Sequence, residues 1–451
     1  MSRLLLLLSV FLAAPAWAQG YDALVVSQGA FGAQNSAVDR VGTDDNGAFV
    51  NTLVADRIYT QGAALIDGRL YLTAGSSFAG TSRIDVYDPA TGQLVGQTTE
   101  GLLNPRYIAH VAPGKAYVTN ADFGEGPSFV VPYDLATGEV GDRIEVAGTA
   151  EDVTLSGGRA FVALGAFGGA DSLAVLDPAT DTLIGYVDIG CAARFAINTF
   201  TALWAICTDT DEAVAVSPST LEVTQRVAFD AEIGDPNGSG QDAAPLQTVF
   251  PVRRPGGAPT EETGDTVLIS SDAGLIVLGQ EGDFEVVPID GLDTRPITAL
   301  SGDGYDQRFY LGRPNATEPF SARGSVTVYS FEGEQVAQLD VGVFPSYAVP
   351  NPALFQSTSA EGAPEHGVRV RLAGTNPTRG RTALDVTLDQ PGVVRVAVLD
   401  VTGRVVRAIE TSAGAGTARV DLDLMDVASG IYLVRATADG EAATLALTVA
   451  R

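Results

Sequence analysis

Through the first three quarters of the chain, short runs of alternating apolar and polar residues are separated by turns rich in glycine. Alternation with a period of two places every second side chain on one face, which is the pattern of a half-buried strand. The runs recur as a phrase: a Gly turn, a strand, a loop, a second strand and a polar turn. It reads GRLYLTAGSSFAGTSRIDVYDPATGQLV from Gly68, GKAYVTNADFGEGPSFVVPYDLATGEV from Gly114 and GRAFVALGAFGGADSLAVLDPATDTLI from Gly158. A period of roughly 45 residues with several short strands per unit predicts the blades of a β-propeller, each burying its faces against its neighbours.

The second strand of each unit is the clearest. These strands begin near Ala23, Arg69, Lys115, Arg159, Ala202, Thr266 and Arg308, which predicts an all-β, seven-bladed β-propeller over residues 19–352. Innermost segments read GAALID, RYIAHV, EDVTLS, RFAINT, LQTVFP, RPITAL and PSYAVP. The last, Pro345–Pro350, has no blade after it, and the blade starting at Tyr21 has no inner strand before it. Pro345–Pro350 is therefore expected to complete the first blade and close the ring, which removes an exposed sheet edge. Asp-Pro-Ala-Thr-Gly at Asp88–Gly92 and its variants at Asp134–Gly138 and Asp177–Asp181 suit tight turns between outer strands. Two irregular inserts, at Asp230–Pro245 and Arg253–Asp265, interrupt the sixth blade. After a polar linker (353–365) the period changes. Seven short strands between Val368 and Val449 predict a small Ig-like β-sandwich over 366–451.

Residues 1–18 combine Arg3, the apolar run LLLLLSVFLAAPA and Ala16-Trp17-Ala18, the form of a secretory signal peptide. In an exported chain the two cysteines, Cys191 and Cys207, are expected to be oxidised. Strands Ala193–Asn198 and Ala202–Cys207 flank a turn near Thr199, and antiparallel pairing sets Cys191 opposite Cys207 within disulfide reach. The formal net charge is −28 and Lys115 is the only lysine. The acidity is concentrated before residue 366, with 46 acidic against 16 basic residues once Arg3 and the 10 Arg and 9 Asp and Glu of the tail are removed from the totals of 27 and 55. That sign disfavours nucleic acid and anionic lipid as partners. It suits solubility in a saline medium or a cationic partner.

Three resemblances follow from particular residues. Tyr117-Val118-Thr119-Asn120, with its Asp-Leu-Ala-Thr-Gly turn, resembles the YVTN-type seven-bladed propellers of bacterial surface and periplasmic proteins. In the tail, Asn376-Pro377, the Asp400-x-x-Gly403-Arg404 hairpin, Gly430-Ile431-Tyr432 and a terminal Arg451 resemble a type A sorting domain of the type IX secretion system. That implies passage across the outer membrane by the type IX machinery and display at the cell surface. LVVSQGAFGAQNSAVDRV from Leu24 is similar, through Gly29, Phe31, Gly32, Asn35 and Ser36, to the opening of Bacteroidetes surface propellers. Those propellers capture cobalamin and pass it to a TonB-dependent transporter. They are usually lipoproteins; here the sorting domain would replace the lipid.

Propeller topology places the starts of inner strands and the loops between second and third strands on one face. Arg106, Arg194 and Arg295 would ring the channel mouth there, with Gln61, Glu151, Gln247, Ser346 and Tyr347. Phe31, Phe78, Phe123 and Phe167, with Phe320, would form an arc on the same face. An apolar rim with convergent polar groups is the character of a small-molecule site, and an amphipathic ligand such as a corrinoid has both surfaces. The competing expectation is that each Phe packs on its neighbouring blade and the arginines pair with carboxylates such as Glu151. No metal or cofactor motif, nucleophile elbow or phosphate loop occurs, and the only histidines are His110 and His366. A non-enzymatic ligand-binding protein is expected. An adhesive or structural propeller, or a propeller lactonase or hydrolase, are the alternatives.

Overall fold

A computed structural model of the chain describes residues 23–30, 32–44, 47–75, 82–122, 126–165, 169–198, 202–233, 247–249, 266–279, 282–289, 297–303, 308–330, 332–350, 369–373, 378, 380–388, 390–399, 405–425, 427, 430–438 and 441–449. The chain is all-β, built from antiparallel sheets, most of them four-stranded. The expected signal peptide and the linker lie outside the described residues, as do nearly all of the two inserts of the sixth blade.

Among the described residues, seven four-stranded sheets precede residue 351, in a propeller-like arrangement. Blade one joins Pro345–Pro350 to Ala23–Ser27, Ser36–Asp44 and Gly47–Arg57. Blade two is Thr60–Ile66, Arg69–Ala74, Arg83–Tyr87 and Leu94–Thr98; blade three is Pro105–Ala112, Lys115–Asn120, Ser128–Asp134 and Ile144–Val146. Blade four runs Val153–Ser156, Arg159–Ala163, Ser172–Asp177 and Thr182–Asp188; blade five runs Ala193–Asn198, Leu203–Cys207, Glu212–Val216 and Val223–Ala228. Blade six holds Gln247–Val249, Thr266–Ser271, Gly274–Leu278 and Phe284–Val287, and blade seven Ala299–Asp303, Arg308–Arg313, Arg323–Ser330 and Gln335–Val343. The inner strand of blade seven starts at Ala299, four residues beyond the segment expected from Arg295.

Burial follows from alternation. In second and third strands both faces are covered, as in Leu203–Cys207, where every residue is buried. Outer strands expose one face, as in Thr182–Asp188 with Ile184 and Tyr186 nearly half exposed. Apolar clusters fill the seams between neighbouring blades. The seam between blades seven and one holds Ala23, Val25, Val41, Tyr310, Val328 and Val341, so the last blade is packed on the first. Pro345–Pro350 pairs antiparallel with Ala23–Ser27, the closing contact expected from the surplus inner segment.

The Asp turns do two jobs. Asp134 Oδ1 accepts from the backbone N–H groups of Ala136 and Thr137, at 2.9 and 2.7 Å, and the same bonds hold its carboxyl below the usual range. The Asp88 and Asp177 turns, and the Ser217 turn of blade five, also offer carbonyls to a base on the preceding blade. Lys115 Nζ donates to Pro178 O and to Asp181 at 2.8 Å, and Arg159 donates to Pro218 O at 2.8 Å. Arg40 reaches Pro89 O and Ala90 O in the same way. These clasps tie blade one to two, three to four and four to five on the face opposite the inner-strand starts.

The tail forms two sheets around its own core. Arg369–Leu372, Arg381–Leu388 and Gly416–Asp423 make one; Gly392–Leu399, Val405–Ala413, Gly430–Ala438 and Glu441–Val449 make the other. Leu384, Val396, Leu422, Val434 and Leu447 fill the space between them. Observed strands agree with the expected ones to within a few residues.

Replacing Lys115 by Met removes the clasp between blades three and four while keeping an apolar stem. The pair is partly exposed, so the expected loss is about 0.5–1 kcal/mol of unfolding free energy, read from urea denaturation.

Candidate functional site: a charged belt over an aromatic plug

Inner strands of a closed ring bring equivalent positions together around the central channel. Position two carries Gln61, Arg106 and Ser346 in blades two, three and one, and Arg194 in blade five. Glu151 stands at the equivalent place just ahead of Val153–Ser156. The next position inward carries Tyr107, Asp152, Phe195 and Tyr347, with Gly62 in blade two.

Arg106 is the centre of the belt. Its Nε donates to Glu151 Oε1 at 2.9 Å and its Nη2 to Oε2 at 3.0 Å, a bidentate pair, while Nη1 donates to Gln61 Oε1. Glu151 is fully buried and Arg106 is 7% exposed. Burial pulls the guanidinium pKa down, but the Glu151 carboxylate, together with Tyr107 and Tyr347, offsets this and holds it raised. Two charges withdrawn from water survive only because each satisfies the other with good geometry. Arg194 Nε approaches Glu151 Oε2 at 4.0 Å, and its guanidinium carbon lies 5.5 Å from the centre of the Phe195 ring. Its side chain keeps 13% of its surface in solvent against 8% for Arg106. Gln61 fits because residue 62 is glycine. A Cβ there would meet the Arg106 carbonyl, to which Thr73 Oγ1 donates at 2.7 Å.

Beneath the belt, rings from alternate blades meet. Tyr107 contacts Tyr347 edge to face with centroids 6.0 Å apart, and Phe195 likewise at 6.2 Å. The Tyr347 hydroxyl donates to Gln61 O. Tyr59, in the crossing from blade one to two, accepts from Gln28 Nε2 at 2.6 Å, and Gln28 Oε1 accepts from Ser346 Oγ at 3.0 Å. Burial raises the pKa of Tyr59, Tyr107 and Tyr347, so all three hydroxyls stay protonated at ordinary pH. Asp152 is partly exposed by area yet enclosed by neighbouring atoms. Burial pushes its carboxyl up to about 6, opposed by backbone N–H donation from Ala196 at 3.0 Å and reinforced by Glu151.

Of the residues singled out from sequence, Arg106, Arg194 and Tyr347 come together with Gln61, Glu151 and Ser346. The expectation that arginines pair with Glu151 holds for Arg106 and, at longer range, for Arg194. Gln247 opens the inner strand of blade six, but its side chain is outside the described residues; so are Arg295, Phe31, Phe78, Phe123 and Phe167. Phe320 is 39% exposed and stacks on Phe344, with centroids 5.0 Å apart. Sequence reasoning missed Tyr107, Phe195, Asp152, Tyr59 and Gln28. A signal existed for the first two, since an aromatic follows the polar belt residue in RY, RF and SY. Tyr59 and Gln28 sit in connections with no repeat to mark them.

Cys191 and Cys207 form the expected disulfide, with Cα atoms 5.8 Å apart and both residues buried, but the ladder sets Ala193 rather than Cys191 opposite Cys207, so the bond reaches from just ahead of the inner strand. They lie near Glu212, but their sulfurs are joined to each other rather than offered to a metal. An open groove of about 720 Å³ lies between Gln97–Gly101 and Thr137–Arg143 of blades two and three. It runs along outer segments and gathers none of the belt's chemistry, so the belt is the better candidate on chemical grounds. In the tail, Gly430 and Tyr432 stand on Gly430–Ala438 with Tyr432 in the core. Asn376, Pro377, Asp400, Gly403 and Arg404 lie outside the described residues.

A family model described as a secretion system C-terminal sorting domain matches residues 376–449. A type IX sorting domain is therefore present at the C-terminus, and the protein is exported to the cell surface or extracellular space. No curated protein matches the chain in sequence. Among solved structures, a functionally unknown protein from Desulfotomaculum acetoxidans is similar with a TM-score of 0.51 at 10% identity, over 73% of this chain and 99% of that one. Hydrazine synthase from Kuenenia stuttgartiensis aligns with a TM-score of 0.43 at 14% identity, over 64% of this chain and 88% of its own. The first likeness supports the fold alone.

Two outcomes follow from the belt. Glu151→Gln leaves Arg106 buried without its counter-charge and should cost about 3–5 kcal/mol in denaturant unfolding; adding Arg106→Met should recover much of it. Asp152 has a folded pKa above its unfolded value of 3.8, so its contribution to stability is complete below pH 3.8 and is lost as pH rises through about 6. Asp152→Asn should therefore gain on the parent by on the order of 2–3 kcal/mol between pH 4 and pH 7, measured by urea unfolding at both.

Proposed function

We propose that this is a non-catalytic surface protein whose propeller captures an amphipathic small ligand, a corrinoid such as cobalamin, for a TonB-dependent outer-membrane transporter. The observation that carries the reading is the meeting of Arg106, Arg194, Glu151, Gln61 and Tyr347 at one end of the inner strands, above Tyr107 and Phe195. Guanidinium and amide groups suit amide or phosphate oxygens, and the rings suit an apolar ligand body. The sorting domain supplies the surface location such a role needs. Tyr117 and Asn120 of the YVTN tetrapeptide are buried on the second strand of blade three, where Tyr117 donates to Asp181 at 2.7 Å, so that resemblance supports kinship of fold rather than of ligand.

A second reading is favoured by one observation: Arg106 and Glu151 satisfy each other. A belt that is internally paired also suits a structural or adhesive propeller whose channel is simply filled. Calorimetry of the mature chain with cobalamin separates the two. Under the capture reading heat of binding is seen, Arg194→Ala weakens it by about 1–3 kcal/mol, and Asp88→Ala on the opposite face leaves it unchanged. Absence of binding moves the adhesive reading ahead.

Deletion of residues 374–451 should leave a folded propeller held within the cell envelope, because each part has its own core. Surface proteolysis of intact cells reads the location, and normal display of the shortened chain would remove the tail from its assigned role.

A further inference from the structure

Arg194 reaches the belt by an irregularity that recurs at Gln61, at Arg106 and Tyr107, and at Ser346; among the described residues only this one lies beside a disulfide. Inner strand Ala193–Asn198 pairs with Leu203–Cys207 so that Ala193 faces Cys207 and Phe195 faces Ile206, leaving Arg194 as the extra residue of a β-bulge. A bulge re-aims a side chain, and here it aims a guanidinium toward Glu151 and over Phe195. The backbone just before it is held from every side. Ala192 N donates to Asp209 Oδ1 at 3.0 Å, and Ala193 O accepts from Gly165 N at 2.8 Å. Gly165 cannot bear a side chain, since a Cβ would lie within 2.6 Å of Ala192 and Ala193 backbone atoms. Cys191 is bonded to Cys207, the residue opposite Ala193. Beyond the bulge, Ala196 N donates to Asp152.

We infer that the Cys191–Cys207 disulfide is a positioning element: it locks the bulge that presents Arg194, so that Arg194 and the Ala196–Asp152 contact keep their places in the belt. An ordinary loop-closing role does not require this placement. The loop it closes is a single hairpin with a sequence separation of 16, already paired along both strands. What the ladder leaves unpaired is the bulge, and the disulfide sits one pair away from it. The inference rests on the ligand reading above only for its purpose, not for its test, which uses no ligand.

The experiment compares the mature chain with the Cys191→Ala/Cys207→Ala double variant. Phenylglyoxal labelling of Arg194 is followed by mass spectrometry with Arg323 of blade seven as internal reference, and amide exchange is read in peptides covering 190–198 and 208–216. Arg194 is expected to label about tenfold faster in the variant, and the 190–198 amides to exchange about tenfold faster, with Arg323 and the 208–216 amides unchanged. Cys191→Ser/Cys207→Val, which also lacks the disulfide but fills the space left by the Cys207 sulfur, is expected to shift Arg194 the same way and serves if the alanine variant does not fold. Unchanged Arg194 labelling in a folded variant overturns the inference. So does faster exchange spread evenly over both peptides, because a staple that merely stabilises the whole ring would give that pattern.

Discussion

A ring of sheets has two chain ends that must be joined, and the pairing of Pro345–Pro350 with Ala23–Ser27 joins them. Every other seam connects blades adjacent in sequence; this one connects residues more than three hundred positions apart. The latch is held by more than its ladder. Gly342 N donates to Asp39 Oδ2 at 2.8 Å in a buried contact, Thr298 Oγ1 donates to Pro345 O, and the blade-seven and blade-one cluster packs beneath. Prolines at both ends are tolerable because an inner strand turns one edge to the channel, where a missing N–H costs no ladder bond.

Closure in turn creates the belt. Arg106, Glu151 and Gln61 come from three blades, and Tyr347, from the latch itself, reaches Gln61 of blade two. Groups from blades one, two, three and five thereby meet within the channel. Tyr107 touches rings from blades one and five at once, so the plug braces the ring across its diameter. Charge neutrality in that space is local. Glu151 answers Arg106, Arg194 stands at longer range, and Asp152 shares the neighbourhood in a form that changes its charge near pH 6.

Much of this was legible because propeller strands are short, alternating and punctuated. The repeated GRLYL, GKAYV and GRAFV segments marked second strands to the residue, and the surplus PSYAVP segment announced the latch. Placement of Cys191 and Cys207 at the two ends of one hairpin gave the disulfide, though not the register, since Ala193 faces Cys207. The belt was legible as a set of positions but not as a set of pairs. Arg106 and Arg194 look alike in sequence and both sit at register shifts, yet one is committed bidentately to Glu151 and the other stands 4.0 Å from it, a difference no local pattern marks. Asp152 reads as a solvated acid beside Glu151, and only the enclosure produced by ring closure raises its pKa. The inner strand of blade seven begins later than its apolar run suggests: Pro296 ahead of it has no N–H to give a ladder, and the Thr298 hydroxyl donates to Pro345 O of the latch.

The position of the latch gives the C-terminal sorting domain a meaning beyond an address. Chains emerge N-terminus first, and the ring cannot shut until its final inner strand has been made. Only residues 351–375 separate that strand from the segment that the secretion family matches. A chain cut short before Pro345 therefore lacks both the means to close and the mark for export. Any chain that carries the mark already holds everything needed to close. Synthesis order thus makes the export label a certificate of completeness: a ring left open by a shortened chain does not carry it.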